Sequence, residues 1–188
     1  MTGLHPAVFL DRDGTLIVER DFLADPDEVE LYDFTVEALH TWRAAGYRLV
    51  CVTNQSGVGR GYFDEVAVHR VHQRLHELLA RNDLALDALL YAPAHPECRV
   101  LPGWSLDWRK PGSGMYTAAT QRLELDPARS IAVGDAIRDL EAARAIGVPH
   151  RYLVRTGHGE AQLANLARPD DWYEVVADLG EAARRSIG

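Results

Sequence analysis

Short apolar runs alternate along the chain with stretches whose apolar residues recur every three to four positions. The runs Ala7–Leu10, Arg48–Thr53, Ala88–Ala92, Ser130–Val133, His150–Val154 and Trp172–Val176 read as strands. Between them, Val36–Ala45 reaches Gly46, a residue suited to a left-handed helix end. Val68, Val71, Leu75, Leu78 and Leu79 trace one apolar face of a helix from about Asp64 to Ala80. Ser113 is placed to cap a helix running to Leu123 ahead of Asp126-Pro127, Ile137–Ile146 stops at Gly147, and Asp178 is placed to cap a last helix. Such alternation predicts an α/β fold with a mainly parallel sheet, helices on both faces, and a ligand site beyond the carboxyl ends of the strands. His69, His72 and His76 share a helix face at a spacing that suits a metal. With no acidic partner in register, they read as a solvated face.

Composition narrows the class. The 188 residues suffice for one buried core, so residues 1–188 are expected to form a single domain. Apolar content of 47% and charged content of 26% suit a soluble globular protein, without repeats or low-complexity runs. No leader pattern and no membrane-length apolar run stand out, so a cytoplasmic protein is expected. A net charge of −8 without a basic stripe argues against nucleic acid and anionic membranes as partners. An anionic substrate then needs a local positive pocket. Cys51 lies in a strand pattern and reads as a core thiol, while Cys98 lies in a loop, so no disulfide is expected.

Asp11-Arg12-Asp13-Gly14-Thr15 follows the first strand directly. Strand alternation starts Asp11 and Asp13 toward one side and Arg12 toward the other, and Gly14 lets the chain turn away. Two carboxylates so close require a cation such as Mg2+, or a proton on one of them. Both remedies suit a phosphatase in which Asp11 attacks phosphorus and Asp13 handles the proton. Thr53-Asn54-Gln55-Ser56-Gly57 ends the second strand, offering a hydroxyl and N–H groups to a phosphoryl group, and Arg60 is placed to reach a more distant anion. In Arg109-Lys110-Pro111, Lys110 is the expected counter-charge for Asp11, and Arg109 the residue that recognises the substrate's body or a second phosphate. Asp135, leaving the fourth strand, is placed to share Mg2+ with Asp11, the Asp13 carbonyl and waters. Asp139 has three candidate uses: accepting from Lys110, accepting from a metal-bound water, or complementing the helix dipole.

The order Asp-x-Asp, strand-end Thr, Lys before a helix and Gly-Asp-x-x-x-Asp resembles the haloacid dehalogenase superfamily. Asp11-Arg12-Asp13-Gly14, Thr53–Gly57, Arg60-Gly61, Arg109-Lys110-Pro111, Val133-Gly134-Asp135 and Leu153–Gly157 together resemble its heptose 1,7-bisphosphate phosphatases and histidinol-phosphatase relatives. The resemblance spans nearly the whole chain. It implies a Rossmann-like three-layer sandwich and a Mg2+-dependent phosphomonoesterase with an aspartyl phosphate at Asp11. It makes Asp13 the acid/base, Thr53 and Lys110 the phosphoryl stabilisers, and Arg109 a substrate-recognition residue. It also places substrate contacts at Glu19, Arg20, Asp21 and Phe22, and along Thr53–Ser56. The expected partner is a small phosphorylated metabolite: heptose bisphosphate, histidinol phosphate or another phosphate ester. Oligomeric state has no sign in the sequence.

The chain departs from that family at two places. Where relatives carry Cys-x-His and Cys-x-Cys zinc ligands, it has Ala92-Pro93-Ala94 and Leu106-Asp107-Trp108. His95 and Cys98 alone cannot close a tetrahedral site, so no structural zinc is expected. Leu101, Trp104, Leu106 and Trp108 are expected to hold that loop by apolar packing. Ala136 follows Asp135 where relatives often place a lysine. The assigned elements use most of the intervals from Asp11 to Thr53 and from Thr53 to Lys110, so no cap domain fits. A second class, the phospho-aspartate receiver domains of signalling proteins, also uses strand-end Asp, Thr and Lys. Its acceptor lies mid-chain, whereas Asp11 closes the first strand and Asp13 is placed to hydrolyse an adduct.

Overall fold

A computed structural model describes residues 3–98, 101–165 and 171–188. Six strands, β1 (Ala7–Leu10), β2 (Arg48–Asn54), β3 (Ala88–Ala92), β4 (Ile131–Gly134), β5 (His150–Val154) and β6 (Glu174–Val176), form one sheet in the order β3-β2-β1-β4-β5-β6. Every pairing is parallel. From β1 the chain winds outward through β2 and β3, then returns to place β4 on the other side of β1. That reversal opens a crevice at the carboxyl ends of β1 and β4, where parallel α/β sheets bind ligands.

Two faces of the sheet build two cores. Val8, Leu10, Leu49, Cys51, Ile131 and Val133 pack against α1 (Thr35–Ala44), α3 (Glu65–Ala80) and α7 (Leu179–Ile187) through Trp42, Leu75 and Leu179. The alternate residues Ala7, Phe9, Val50, Val52 and Ala132 pack against α4 (Gly114–Arg122) and α5 (Ile137–Ala145) through Met115, Tyr116 and Ala142. The period of two along each strand thus produces three layers. Both cysteines are free, Cys51 within the first core.

Most predicted elements form, with local corrections. Asp64 and Asp178 cap α3 and α7, accepting from the N–H groups of Ala67 and Glu181. Ser113 precedes α4, but its side chain makes no capping bond. β6 starts at Glu174 rather than Trp172, whose carbonyl accepts from the Arg151 guanidinium. Gly57–Gly61, expected as a loop, forms a helical turn, α2 (Gly57–Arg60), and α6 (Gly159–Ala164) was not foreseen. The histidine face is split: His69 and His76 are exposed, whereas His72 is buried beside Tyr91. Among the described residues, the connections 11–34 and 93–113 beside the crevice hold only 3-10 turns and isolated bridges. No helix among them is long and apolar enough to cross a membrane.

Candidate active site

β1 ends at Leu10, but the Asp11 N–H still donates to the Val133 carbonyl at 3.0 Å, which holds Asp11 in the crevice between β1 and β4. The backbone then curls so that the Arg12 carbonyl accepts from Leu16 and Ile17. Gly14 completes the turn at φ 74°, and a Cβ on it would lie 2.3 Å from Asp135 Oδ2. Only glycine provides both the left-handed backbone and the room for that carboxylate.

Lys110 Nζ is fully buried and lies 2.8 Å from Asp11 Oδ1, 2.8 Å from Asp139 Oδ1 and 2.7 Å from the Val52 carbonyl. Burial pulls against its charge, yet the Asp11 and Asp139 carboxylates outweigh that effect and hold its pKa above the ordinary lysine value. Reciprocal bonds between the Asn54 side-chain amide and the Lys110 backbone set the lysine's position. Asp139 Oδ2 also accepts from the Ala136 N–H, at the start of α5. Asp135 Oδ2 accepts from the His158 N–H at 2.7 Å. Ligand oxygens of Asp11, Asp135 and Asp139 lie within 4.8 Å of one another. Burial first, then the charges of Asp11 and Asp139, pushes Asp135 up to about 7.

A second network fixes the other acid. Arg12 is buried and its guanidinium bonds both oxygens of Asp13, at 2.9–3.2 Å, and Gln55 Oε1 at 3.0 Å. Gln55 Nε2 donates to Asp13 Oδ2 at 2.8 Å and to Thr53 Oγ1 at 2.9 Å. Because the strand has already ended at Leu10, Arg12 turns back to Asp13 rather than away from it as strand alternation predicts.

Residues 107–182 match the HAD-hydrolase-like family model. The chain is 38% identical to the D-glycero-beta-D-manno-heptose-1,7-bisphosphate 7-phosphatase of Escherichia coli strain K12, over 96% of this chain and 94% of that one. Identity to the Haemophilus influenzae counterpart is 40%, over 82% of this chain and 84% of the other. D,D-heptose 1,7-bisphosphate phosphatase from B. bronchiseptica, solved with magnesium and phosphate, superposes with a TM-score of 0.83 at 34% identity, covering 96% of this chain and 97% of that one. The chain belongs to this phosphatase family of HAD hydrolases.

In this family member the crevice gathers Asp11, Asp13, Thr53, Lys110 and Asp135 with Glu19, Asp21, Phe22, Asn54, Gln55, Ser56 and Arg109. Two residues expected to touch substrate, Arg20 and Arg60, are not among those lining the crevice. Arg20 points outward to an exposed ion pair with Glu30, and Arg60 meets His95 and lies 5.8 Å from the Phe22 ring centre. The Gln55 side chain, expected to contact substrate, bridges Arg12, Asp13 and Thr53. Sequence reasoning gave no part to Arg12, Phe63, Arg138 or His158, which also line the crevice. Arg138 was one residue from a named carboxylate, and that proximity was the available signal. Glu19 is pushed up to about 7 by burial and then by Asp13, with His158 opposing.

The loop beside the crevice is partly as expected. Trp104 packs on Tyr91 and Trp108, its indole N–H donates to Glu65, and Trp108 rests on the second core. Leu106 is instead exposed.

Proposed function

We propose that this chain is a Mg2+-dependent phosphomonoesterase that acts through an aspartyl phosphate on Asp11 and removes the C7 phosphate of D-glycero-D-manno-heptose 1,7-bisphosphate. The observation that carries the reading is the buried Lys110 ammonium held 2.8 Å from both Asp11 and Asp139, with Asp135 alongside. One ammonium among three carboxylates leaves an excess of negative charge in a water-poor site. Closely grouped carboxylate oxygens and a raised Asp135 fit a small hard dication. Asp11, Asp135 and the Asp13 carbonyl would hold it, with Asp139 behind, while the Asp13 side chain faces Arg12. When bound, such an ion neutralises charge on the phosphoryl oxygens.

The chain's own residues account for the remaining steps. An Asp11 oxygen attacks phosphorus in line, forming the new P–O bond as the bond to the sugar oxygen breaks. Asp13, protonated and turned away from its Arg12 and Gln55 donors, passes that proton to the departing oxygen, then takes one from the water that attacks the aspartyl phosphate, which releases phosphate and restores Asp11. Gln55 occupies a lone pair of Thr53 Oγ1, which leaves the threonine proton for a phosphoryl oxygen. Lys110 keeps one Asp11 oxygen fixed while its charge opposes the negative charge of the phosphoryl group. The 188 residues act as one catalytic domain on a cytoplasmic sugar phosphate, a setting consistent with two free thiols.

Similarity to the heptose bisphosphate phosphatases and the cationic Arg109 in the crevice favour a doubly phosphorylated substrate over histidinol phosphate, whose ammonium group Arg109 would repel. Phosphate release should be measured with and without Mg2+ on both heptose 1,7-bisphosphate anomers, fructose 1,6-bisphosphate and histidinol phosphate. Highest kcat/KM on a heptose bisphosphate, lost with EDTA, is expected. Asp11→Asn should lower turnover by roughly 10³-fold or more with unchanged circular dichroism. Retained turnover in that variant removes Asp11 as nucleophile, and persistent phosphorylation without phosphate release would indicate a receiver-type switch.

A further inference from the structure

Two guanidinium groups share the crevice wall beside Asp11 without a protein counter-ion. Arg138, in the first turn of α5, lines the crevice, and its Nε is buried with no hydrogen-bond partner. Arg109, on the connection that delivers Lys110, also lines it, with Nη1 buried and unpartnered. Neither makes an ion pair among the described residues, although the chain carries 28 acidic against 20 basic side chains. Burial, and next the positive charge of Arg138, weakens the proton affinity of Arg109, so the two cations act on each other. Acidic groups nearby, Asp139, Asp11, Asp135 and Glu19, favour the charged form of Arg138 against its burial. Those carboxylates nevertheless have other partners: Lys110 for Asp11 and Asp139, and His158 for Asp135 and Glu19. Ala136, between Asp135 and Arg138, is a buried methyl and supplies no charge.

Buried donors without acceptors, on two cations that repel each other, are costly unless a ligand brings an anion. Arginine suits that task, since its planar donors match the oxygens of a phosphate. Resting on the phosphatase reading above, we infer that Arg138 is a specificity-determining residue, which with Arg109 seats the non-reacting phosphate of a doubly phosphorylated substrate while the other phosphate faces Asp11. The sugar between them then spans the open crevice, and the second anion orients it.

The test compares matched pairs in wild type, Arg138→Ala and Arg138→Lys: heptose 1,7-bisphosphate with heptose 7-phosphate, and fructose 1,6-bisphosphate with fructose 6-phosphate. The readout is the ratio of kcat/KM for the bisphosphate over the monophosphate. Wild type should prefer the bisphosphate, and Arg138→Ala should lower the ratio roughly 10- to 100-fold, mostly through KM, with Arg138→Lys restoring part of it. A preference confined to the fructose pair, and lost in Arg138→Ala, would sustain Arg138 while overturning the heptose assignment. Equal loss on both members of a pair assigns Arg138 to the reacting centre or to folding, and overturns the inference. So does a wild type with no bisphosphate preference in either pair, or an unchanged ratio in Arg138→Ala.

Discussion

Gln55 has two amide protons and one carbonyl oxygen in the crevice, and each has a partner: Asp13, Thr53 and Arg12. A leucine there fills similar volume but removes one bond each from the Arg12 guanidinium, the Asp13 carboxylate and the Thr53 hydroxyl, leaving Arg12 and Asp13 only their mutual bonds. Gln55→Leu is expected to lower kcat roughly 10- to 100-fold with KM changed only a few-fold, since the groups it orients act on the reacting phosphate. Steady-state kinetics beside thermal unfolding would check this, and an unaltered kcat would contradict the bridge. Identity without environment explains what the sequence concealed here. Arg12 and Gln55 are legible as polar residues near a motif, but their mutual bonds depend on the chain curling back after Leu10. His72 shows the same gap, since helical spacing grouped it with His69 and His76 while burial pulls it down to about 2.

At the scale of elements, the turn after β1 has almost no slack. Gly14→Ala adds a Cβ 2.3 Å from Asp135 Oδ2 at a backbone φ of 74°. The variant should lose about 1–3 kcal/mol of stability and need more Mg2+ for half-maximal turnover. Denaturant unfolding and a Mg2+ titration of activity measure the two effects, and a variant equal to wild type in both would exclude the crowding. Long periodic segments such as α3, and strands flanked by turn residues, were legible because each repeats one local signal. α2 was not, because a glycine-rich tetrapeptide has poor helical propensity and is held by its bonds to the turn that follows. α6 is equally short. Trp104 and Trp108 were legible as packing residues, while the exposure of Leu106 is set by neighbours that the loop sequence does not encode.

Across the whole molecule, the crevice concentrates negative charge whose relief depends on pH and on a cation. Asp135 and Glu19 each have a folded pKa of about 7, above the ordinary carboxylate range of roughly 4. A raised carboxyl pKa means that the folded state binds more protons than the unfolded chain between those values, so these groups favour folding less as pH rises from 4 through 7. Mg2+ should therefore raise the unfolding temperature by several degrees at pH 8 and by less at pH 5.5. Scanning calorimetry at both pH values with Mg2+ or EDTA checks the sign, and an equal shift at each pH would exclude the linkage. At this scale the α/β class and the carboxyl-end location of the site were legible from alternation alone. The reversal of winding at β1, which joins the two walls, is a tertiary fact.

That reversal has a consequence for how the molecule comes into being. Asp11 and Asp135 stand on neighbouring strands, but most of the chain is synthesised between them. A growing polypeptide that has completed β1, β2 and β3 carries the Asp11 carboxylate, the proposed nucleophile, without its companion Asp135. The two walls of the crevice thus meet only once the crossover from β3 has set β4 beside β1, ahead of the two further crossovers that add β5 and β6.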